Sequence, residues 1–587
     1  MVGLLCLQTA RLQRYPDSRT VAQLEQRLGW QQIPGQRGSI VTRDGVALVT
    51  SSDRIRVIAN QAQVSDPHAT ALTLAPLLER DAAELETLLT PRKDSRGKPV
   101  PDGYVEITRE GVAPTLEDAL RTAVADQLTR SSKADGLDPE PGATRWAKAR
   151  EAGIDLSLEG IVLETVSEGS YPANDLARPV VGTLGPPTGK GEDPRIYVGR
   201  SGLALQYESE LRGVAGRRRV ERDAQQRSVM VNGVHEVQPA RPGKDIVTTL
   251  DSALQVVVEK YLRTAIVDEK AKGAMAAVMD VETGEILAMA DFATDAAGQP
   301  VVSSQNRLVT MQYEPGSVLK MVAVAGALND GLVTPQTSFR VDDRLRLAKD
   351  REPFEDDHPH PPLDMTVQDI VAQSSNVGTI RVAQKLGRQR LMDYYRALGF
   401  GVESGLGYPA EVAGSLPSPE TWSPSTIGAT AIGYEVAVTP LQILGAYSAV
   451  ANGGTAHDPI LVRQIVDSGG KVVRDNRSEG RQVLKESTAA DMREILTKVT
   501  EIGTGDEATI AGYQVAGKTG TARKLIDGEY VKGKNWATFV GFAPADAPRM
   551  AVIVVLDEPL EGYAGLTAAP VFRQIATYAL GRLGEAP

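Results

Sequence analysis

Residues 313–320 read YEPGSVLK, and the apolar run MVAVAGALN follows at 321–329. The two stretches together predict a helix that opens at Gly316 and continues through this run. Ser317 and Lys320 are three residues apart and would share one face of its first turn. A serine becomes a good nucleophile when a base takes its proton, and a lysine of lowered pKa can be that base. Alone, the pair also fits an N-cap serine beside an exposed lysine.

Two further polar motifs follow in the chain: Ser374-Ser375-Asn376, and Lys518-Thr519-Gly520 extended by Thr521. Each is weak by itself, since such triplets are common at helix caps and turns. In a strand Lys518 and Gly520 would share one face, so we expect Gly520 to leave room for a substrate backbone beside the cation. The three motifs occur in a fixed order, at separations of 374 − 317 = 57 and 518 − 317 = 201 residues.

Length and composition narrow the possible functions. The 587 residues are too many for one core, so at least two domains are expected. The net charge of 64 − 75 = −11 argues against a nucleic-acid partner, which needs a basic surface. One cysteine and five histidines predict neither disulfides nor a metal site. We therefore expect chemistry on hydroxyls, amines and carboxylates, with no cofactor.

Patterning along the chain predicts an α+β fold. Residues 16–240 are polar and irregular, with helical patches at 71–89 and 115–129, and the Pro-Gly break PARPGK at 239–244 is the best boundary. Beyond it, residues 274–289 are two apolar runs around Glu282-Thr283-Gly284, which predicts a hairpin. Helices are predicted at 251–267 and 570–583, and buried strands at 536–542 and 550–556. The sheet is thus expected to be assembled from both ends of residues 241–587.

The N-terminal stub, two histidines and one acidic pair could suggest special sites, but a simpler structural interpretation fits each of them at least as well. The stub MVGLLCL at 1–7 is too short to span a bilayer, which needs about 20 apolar residues. Residues 1–15 are either a frayed terminus or the remnant of a membrane anchor whose start is missing, and Cys6 is not interpreted as a lipid site. His358 and His360 are expected in a surface loop rather than at a metal, and Asp557-Glu558 in a solvated turn.

The three motifs in this order are the signature of penicillin-binding proteins and serine β-lactamases. The chain resembles, over nearly its whole length, the class B (monofunctional) penicillin-binding proteins, which are peptidoglycan D,D-transpeptidases, and among them the septal, cell-division type. Glu435 departs from the pattern, since many relatives carry glycine there, and Thr42 replaces a usual acidic residue. The other matching segments are RGSI at 37–40, RDG at 43–45, YEPG at 313–316, TPLQ at 439–442, ANGG at 451–454, GTG at 503–505 and TAAP at 567–570.

The resemblance implies a C-terminal transpeptidase domain, an antiparallel sheet with a helical subdomain, preceded by an elongated, irregular pedestal or dimerisation-like domain at 16–240. It implies that Ser317 attacks the D-Ala-D-Ala carbonyl of a stem peptide, that Lys320 is the base, and that Ser374 relays a proton. Asn376 would hold Lys320 and the substrate amide, while Lys518 would tune its neighbours and attract the substrate carboxylate. The substrate-binding residues implied are Thr519, Gly520 and Thr521, with the N–H groups of Ser317 and Thr521 as the oxyanion hole.

The implied partners are peptidoglycan stem peptides, β-lactam antibiotics, a membrane glycan polymerase and other division proteins. The implied location is the cell membrane, with the catalytic domain on its extracytoplasmic side. Two other functions remain open at this point. One is a serine β-lactamase or drug-sensing relative, which the long N-terminal region argues against. The other is a non-catalytic interaction protein, which the presence of Ser317, Lys320, Ser374, Asn376 and Lys518 argues against.

Overall fold

A computed structural model of the protein describes residues 28–33, 35–64, 66–93, 99–100, 104–108, 112, 114–134, 158–188, 196–222, 228–229, 237–349 and 351–585. The predicted anchor remnant at 1–15, with Cys6, lies outside these residues. None of the helices in the described ranges combines the length and the apolar character that a bilayer crossing requires.

The elements of the N-terminal part are short, apart from two long strands and three helices. Its strands are β1 (Leu28–Ile33), β2 (Ile40–Val41), β3 (Ala47–Asn60), β4 (Arg92–Lys93), β5 (Pro99–Val100), β6 (Tyr104–Glu106), β7 (Ile161–Ser170), β8 (Leu184–Gly185), β9 (Val198–Gly199), β10 (Gly216–Arg222), β11 (Ser228–Val229) and β12 (Val237–Gln238). Its helices are α1 (Pro67–Leu78), α2 (Ala82–Leu89), α3 (Pro114–Ala134), α4 (Arg178–Val181), α5 (Gly202–Gln206) and α6 (Glu208–Leu211).

The C-terminal part begins and ends with strands and is mostly helical between them. Its strands are β13 (Asp245–Thr248), β14 (Gly273–Asp280), β15 (Ile286–Thr294), β16 (Pro300–Val302), β17 (Ser338–Val341), β18 (Arg344–Leu345), β19 (Phe354–Glu355), β20 (Leu363–Thr366), β21 (Thr455–Ala456), β22 (Val462–Val466), β23 (Val472–Asp475), β24 (Arg481–Gln482), β25 (Ala516–Ile526), β26 (Glu529–Ala543) and β27 (Met550–Asp557). Its helices are α7 (Ser252–Asp268), α8 (Arg307–Thr310), α9 (Lys320–Asn329), α10 (Val367–Ala372), α11 (Asn376–Leu386), α12 (Arg388–Ala397), α13 (Thr426–Ala431), α14 (Pro440–Ala451), α15 (Glu486–Glu501) and α16 (Ala564–Leu583), with 3₁₀ turns at Gly316–Leu319, Pro419–Thr421 and Asp506–Ala508.

The main sheet is assembled from both ends of the C-terminal part, which confirms the α+β prediction. Its order is β16-β15-β14-β27-β26-β25, and every neighbouring pair is antiparallel. The predicted hairpin is β14–β15, and the Asp280 carboxylate stabilises its turn by accepting from the N–H groups of Glu282 and Thr283. Strand β25, which carries Lys518-Thr519-Gly520, forms one edge of the sheet.

Alternating side chains of the central strands build two separate cores. On β14, Ala274, Ala276 and Val278 face the core that α7 and α16 cover. Met275, Ala277 and Met279 face the helical middle of the domain. Because both faces are covered, the strands read as continuous apolar runs, and all eight residues of β27 are buried. The apolar helix α9 lies inside the second core and is buried from Lys320 to Leu328.

A second sheet contains strands from both sides of residue 240. Strand β13 pairs in parallel with β2 and antiparallel with β22, in a seven-stranded sheet that also contains β3, β6, β7 and β23. The loop at Asp44 belongs to the same junction, since its carboxylate accepts from the N–H and hydroxyl of Ser252 at the start of α7. The boundary at 240 remains a sequence prediction. Hydrogen bonds join the segments on its two sides, both within this sheet and between Asp44 and Ser252.

The helical patch at 71–89 is two helices rather than one. Helix α1 ends because Glu79 has a left-handed backbone, with φ of 52°, and its N–H bonds to Ala75 O. Asp81 then caps α2 by accepting from the N–H of Glu84. Leu74 and Leu85 pack into one small core with Ile55 and Val57 of β3. The left-handed Glu79 and the Asp81 cap, rather than the spacing of the apolar residues, therefore divide the patch into α1 and α2.

Candidate active site

The turn that carries Ser317 is fixed by close backbone contacts. Residues Gly316–Leu319 form a 3₁₀ turn that continues directly into α9 at Lys320. The N–H of Gly316 donates to Gly433 O over 3.2 Å, and a Cβ on Gly433 would lie 2.1 Å from Gly316 O. The Tyr447 hydroxyl donates to Val318 O over 2.8 Å inside the core. The predicted nucleophile is therefore on a rigid support, and its side chain is half-buried.

The position without a side chain at Gly520 lies against the turn of Ser317. A Cβ on Gly520 would lie 2.7 Å from Pro315 O and 2.9 Å from Val318 Cγ1. The glycine thus lets the Ser317 turn pack directly against β25. This contact brings the first and third motifs together.

The Ser374 hydroxyl lies between the two lysines of the motifs. Its Oγ accepts from Lys320 Nζ at 3.1 Å and from Lys518 Nζ at 3.0 Å. Lys320 Nζ also donates to Ser374 O, and Lys518 Nζ to Thr519 O at 3.1 Å. Ser374 has a left-handed backbone, with φ of 57°, which costs about 1–3 kcal/mol in a residue other than glycine. All three sequence motifs therefore converge at one hydroxyl.

Lys320 does not contact Ser317 in the way that the helical spacing predicts. Among the described contacts, Lys320 Nζ donates only to Ser374 and not to Ser317 Oγ. Ser317 lies in the 3₁₀ turn and Lys320 is the first residue of the α-helix, and the Lys320 amine is directed to Ser374 instead. Catalytic hydrogen bonds are often long before the substrate binds, so the pair remains available for proton transfer.

Burial shifts the proton equilibria of both lysines. Lys320 and Lys518 have no exposed surface. Burial lowers the pKa of Lys320 to about 8, while the carboxylates of Asp357 and Asp356 act in the opposite direction. Burial lowers the pKa of Lys518 well below its ordinary value, and repulsion from Lys320 lowers it further. The Lys320 amine is therefore partly unprotonated near neutral pH.

The hydroxyls of β25 are held by neighbouring segments. Thr519 Oγ1 lies 2.6 Å from the hydroxyl of Thr504, in the GTG segment. Thr521 Oγ1 accepts from the N–H of Ala564 at the start of α16, over 3.1 Å. The backbone of Thr521 also lies beside the Ser317 turn, because a Cβ on Gly316 would be 3.4 Å from Thr521 O. These threonines are fixed at the edge of the site.

The loop after β19 holds the Ser374 turn, a contact that the sequence analysis missed. The Asp356 carboxylate accepts from Ser375 Oγ at 2.7 Å and from the Val377 N–H at 2.9 Å. The Asn376 amide donates to Glu355 O over 2.7 Å rather than holding Lys320. The only sequence signal was the acidic pair at 356–357, which lies 18 residues before Ser374.

The two histidines of this loop differ in their surroundings. His358 is exposed, as predicted, but His360 Nε2 lies 3.1 Å from the Asp356 carboxylate and so supports the Ser374 turn indirectly. The described residues contain no group of three His, Cys, Asp or Glu side chains that could hold a metal ion.

An open groove of about 940 Å³ includes Thr521, the last residue of the third motif, in its lining. The loop at 351–357, the loop at 434–435 and the β25–β26 hairpin form its walls. Its lining includes both acidic and basic side chains as well as tyrosines. Such a groove suits an extended peptide that carries charges of both signs.

Comparison with known families decides what this site belongs to. Residues 274–577 match the penicillin-binding protein transpeptidase domain, and residues 32–248 match the penicillin-binding protein dimerisation domain. The chain belongs to the class B penicillin-binding proteins. It is thus a peptidoglycan D,D-transpeptidase, and not a β-lactamase or a vestigial interaction protein.

Relatives of this penicillin-binding protein match over most of its length. It is 30% identical over 572 residues to penicillin-binding protein PbpB of Mycobacterium tuberculosis, covering 94% of this chain and 78% of that one. It is 34% identical over 442 residues to the probable peptidoglycan D,D-transpeptidase PenA of Neisseria meningitidis, covering 74% and 71% of the two chains. Stage V sporulation protein D of Bacillus subtilis is 29% identical over 569 residues, covering 94% of this chain and 79% of its own length.

Solved structures give the same result for the fold of this penicillin-binding protein. Penicillin-binding protein 3 of M. tuberculosis, crystallised with ampicillin, is similar with a TM-score of 0.66 and 26% identity over 94% of this chain and 96% of that one. Penicillin-binding protein 2X of Streptococcus thermophilus has a TM-score of 0.74 over 95% of this chain and 81% of that one. At 21% identity, the second comparison supports the fold alone.

The acidic pair Asp557-Glu558 lies elsewhere than the sequence suggested. Asp557 is the last residue of β27 and is largely buried, not in a solvated turn. It forms ion pairs with Lys524 and with Arg307, and Lys524 also reaches Glu558. The pair therefore ties the sheet edge that carries the site to its central strands.

Proposed function

We propose that this penicillin-binding protein cross-links peptidoglycan stem peptides through an acyl-enzyme on Ser317. Ser317 Oγ attacks the carbonyl carbon between the two D-alanines, and its proton passes to Lys320 Nζ. The C–N bond then breaks, and the leaving D-alanine amine takes a proton delivered through Ser374 Oγ. An acceptor amine next attacks the Ser317 ester, a new amide forms, and Ser317 regains its proton.

The remaining residues hold charge and geometry in this mechanism. Lys518 shares the Ser374 hydroxyl with Lys320, so one proton can move among the three groups. The N–H groups of Ser317 and Thr521 form the oxyanion hole, where each such donor contributes about 2.7–4 kcal/mol of transition-state stabilisation. Thr519 and Thr521 contact the substrate carboxylate, and Asn376 orients the substrate amide.

The observation that carries the proposal is the position of Ser374 Oγ between Lys320 and Lys518, beside the turn of Ser317. β-Lactams would enter the same reaction, because their ring presents an activated amide in place of D-Ala-D-Ala. Mass spectrometry of the purified chain after penicillin treatment tests it. We expect one added penicillin mass, on the peptide that contains Ser317, and an adduct on any other residue would contradict the assignment.

We further propose a septal role at the cell membrane, with the catalytic domain outside the membrane. The segments that resemble the division type support this role. No segment before residue 240 resembles a glycosyltransferase, which argues against a bifunctional polymerase. Glycan polymerisation would then require a separate membrane polymerase as a partner, together with other division proteins. Depletion of the protein in its own cells is expected to give filaments without septa, whereas rounded cells would indicate a side-wall role.

Replacing Asp356 by asparagine is expected to slow β-lactam acylation about tenfold and to move its pH dependence. The slower rate follows because Ser375 and Val377 lose charge-assisted hydrogen bonds, which are about twice as strong as neutral ones. The negative charge of Asp356 raises the pKa of Lys320, so its removal should shift the midpoint of the rate profile to lower pH. Stopped-flow acylation across pH 6–10 measures both effects.

The exposed Asp364 provides the matched control for this change, since its only described ion pair is with Arg340 at the surface. Asp364→Asn should leave the rate and the midpoint unchanged. An Asp356→Asn protein that is slower but keeps the original midpoint would show that Asp356 is only structural.

A further inference from the structure

Glu435 has a backbone conformation that its side chain does not favour. Its φ is 57°, in the left-handed region that glycine adopts freely. The resemblance to relatives with glycine at this position agrees with that geometry. Strained backbone conformations of this kind are concentrated at functional sites, and Glu435 lies at the wall of the groove.

The surroundings of Glu435 fix it at the groove. Its N–H donates to a carboxylate oxygen of Glu314 over 2.9 Å, and the other Glu314 oxygen accepts from the Tyr530 hydroxyl over 2.8 Å. The Tyr530 ring meets the Tyr434 ring edge-on, with centroids 5.5 Å apart. Glu314 lies three residues before Ser317, so this cluster joins the nucleophile's turn to the β25–β26 hairpin. Glu435 is therefore held near the reaction centre.

The carboxylate of Glu435 is free to receive a cation. The residue is exposed and lines the groove that includes Thr521. Within the described residues its carboxylate forms neither an ion pair nor a hydrogen bond. Arg523 and Lys532 line the same groove and offer positive charge to a carboxylate. A ligand with an ammonium group and a carboxylate group fits this distribution.

We propose that Glu435 is a specificity-determining residue that receives the ammonium group of the acceptor stem peptide. The inference rests on the proposed function, in which the second step needs an amine. Such an amine is protonated in water at neutral pH and is attracted to a carboxylate. The ammonium loses one proton to the base at Ser317, its nitrogen attacks the ester carbonyl, and the nitrogen loses a second proton as the ester C–O bond breaks. Ser317 Oγ takes up one proton, and the other is released to solvent.

Glutamine and lysine at position 435 test this role. Glu435→Gln keeps the shape and the backbone strain but removes the charge, and Glu435→Lys reverses it. The assay supplies the full-length chain with an acyl-D-alanyl thioester as donor. A peptide with a free lysine side-chain amine, or the same peptide with diaminopimelate, serves as acceptor. The ratio of amide product to hydrolysed donor is measured as a function of acceptor concentration, at low and high salt, and this dependence gives the acceptor KM.

We expect the acceptor KM to rise about three- to fivefold in Glu435→Gln and at least tenfold in Glu435→Lys, with smaller differences at high salt. The rate of penicillin acylation should stay within twofold, since that step needs no amine. Glu529→Gln, on the same hairpin but outside the groove lining, is the matched control and should behave as the unmodified chain.

An unchanged product ratio in both variants, with normal penicillin acylation, would overturn the role of Glu435 alone. Failure of the unmodified chain to be acylated at Ser317 would overturn the proposed function and this inference with it.

Discussion

Replacing Ser317 by alanine is expected to abolish covalent penicillin binding, with no adduct above background. The reaction needs an oxygen nucleophile on the turn before α9, and the nearby Ser374 hydroxyl is already occupied by two lysines. The fold should survive, because Ser317 is half-buried and its hydroxyl forms no hydrogen bond among the described contacts. Fluorescent-penicillin labelling measures the loss, and thermal unfolding checks that the Tm changes by no more than about 2 °C.

An exposed serine gives the matched control for this experiment. Ser487 lies in α15, and its side chain faces solvent. Ser487→Ala should label as strongly as the unmodified protein. Labelling that persists in Ser317→Ala would mean that another nucleophile reacts, and the assignment of the acyl-enzyme would then be wrong.

Replacing Lys320 by methionine is expected to slow acylation by at least about 10³-fold, while penicillin can still bind. Positioned general bases contribute about 10²–10⁴-fold. Here the loss should fall in the upper part of this range, because methionine also leaves the Ser374 hydroxyl with one lysine amine as a partner instead of two. Methionine fills a similar buried volume, so the loss reports mainly on the missing amine. The second-order acylation rate with a chromogenic β-lactam measures the change.

The pH dependence gives this prediction an independent test. Since burial lowers the pKa of Lys320 to about 8, the base is protonated below that pH. The acylation rate of the unmodified chain should therefore rise about tenfold per pH unit below 8 and level off above it. Lys320→Met should lose this rise, while Lys471→Met, in an exposed turn, should retain it. A flat profile in the unmodified chain would argue against Lys320 as the base.

The family resemblance predicted that the three polar motifs meet, and the structure brings Lys320 and Lys518 to the Ser374 hydroxyl. The burial of β14 and β27 on both faces likewise followed from their apolar runs. Contacts between distant segments could not be predicted. The need for glycine at 520 depends on the backbone at Pro315, and the role of Asp356 depends on a loop that folds back onto Ser375. Neither the contact of Gly520 with Pro315 nor that of Asp356 with Ser375 produces a regular residue spacing that could be recognised in a single sequence.

Helix boundaries depended on local geometry that periodicity does not record. The α-helix begins only at Lys320, after the 3₁₀ turn at Gly316–Leu319, and the Lys320 amine donates to Ser374 rather than to the Ser317 hydroxyl. The left-handed Glu79 similarly divided one predicted helical patch into two helices. Both helix boundaries were therefore set by the local backbone conformation, which the apolar period does not contain.

Strand β13, between β2 and β22, has a practical consequence for work with shortened chains. A fragment that began at residue 241 would lose β2, and the backbone of Ile246 and Val247 would be left at an open edge. Such an edge is a template for strands of neighbouring molecules, and it favours aggregation. Expression of the enzymatic half alone should therefore retain residues 37–50, joined by a linker, to keep that edge covered.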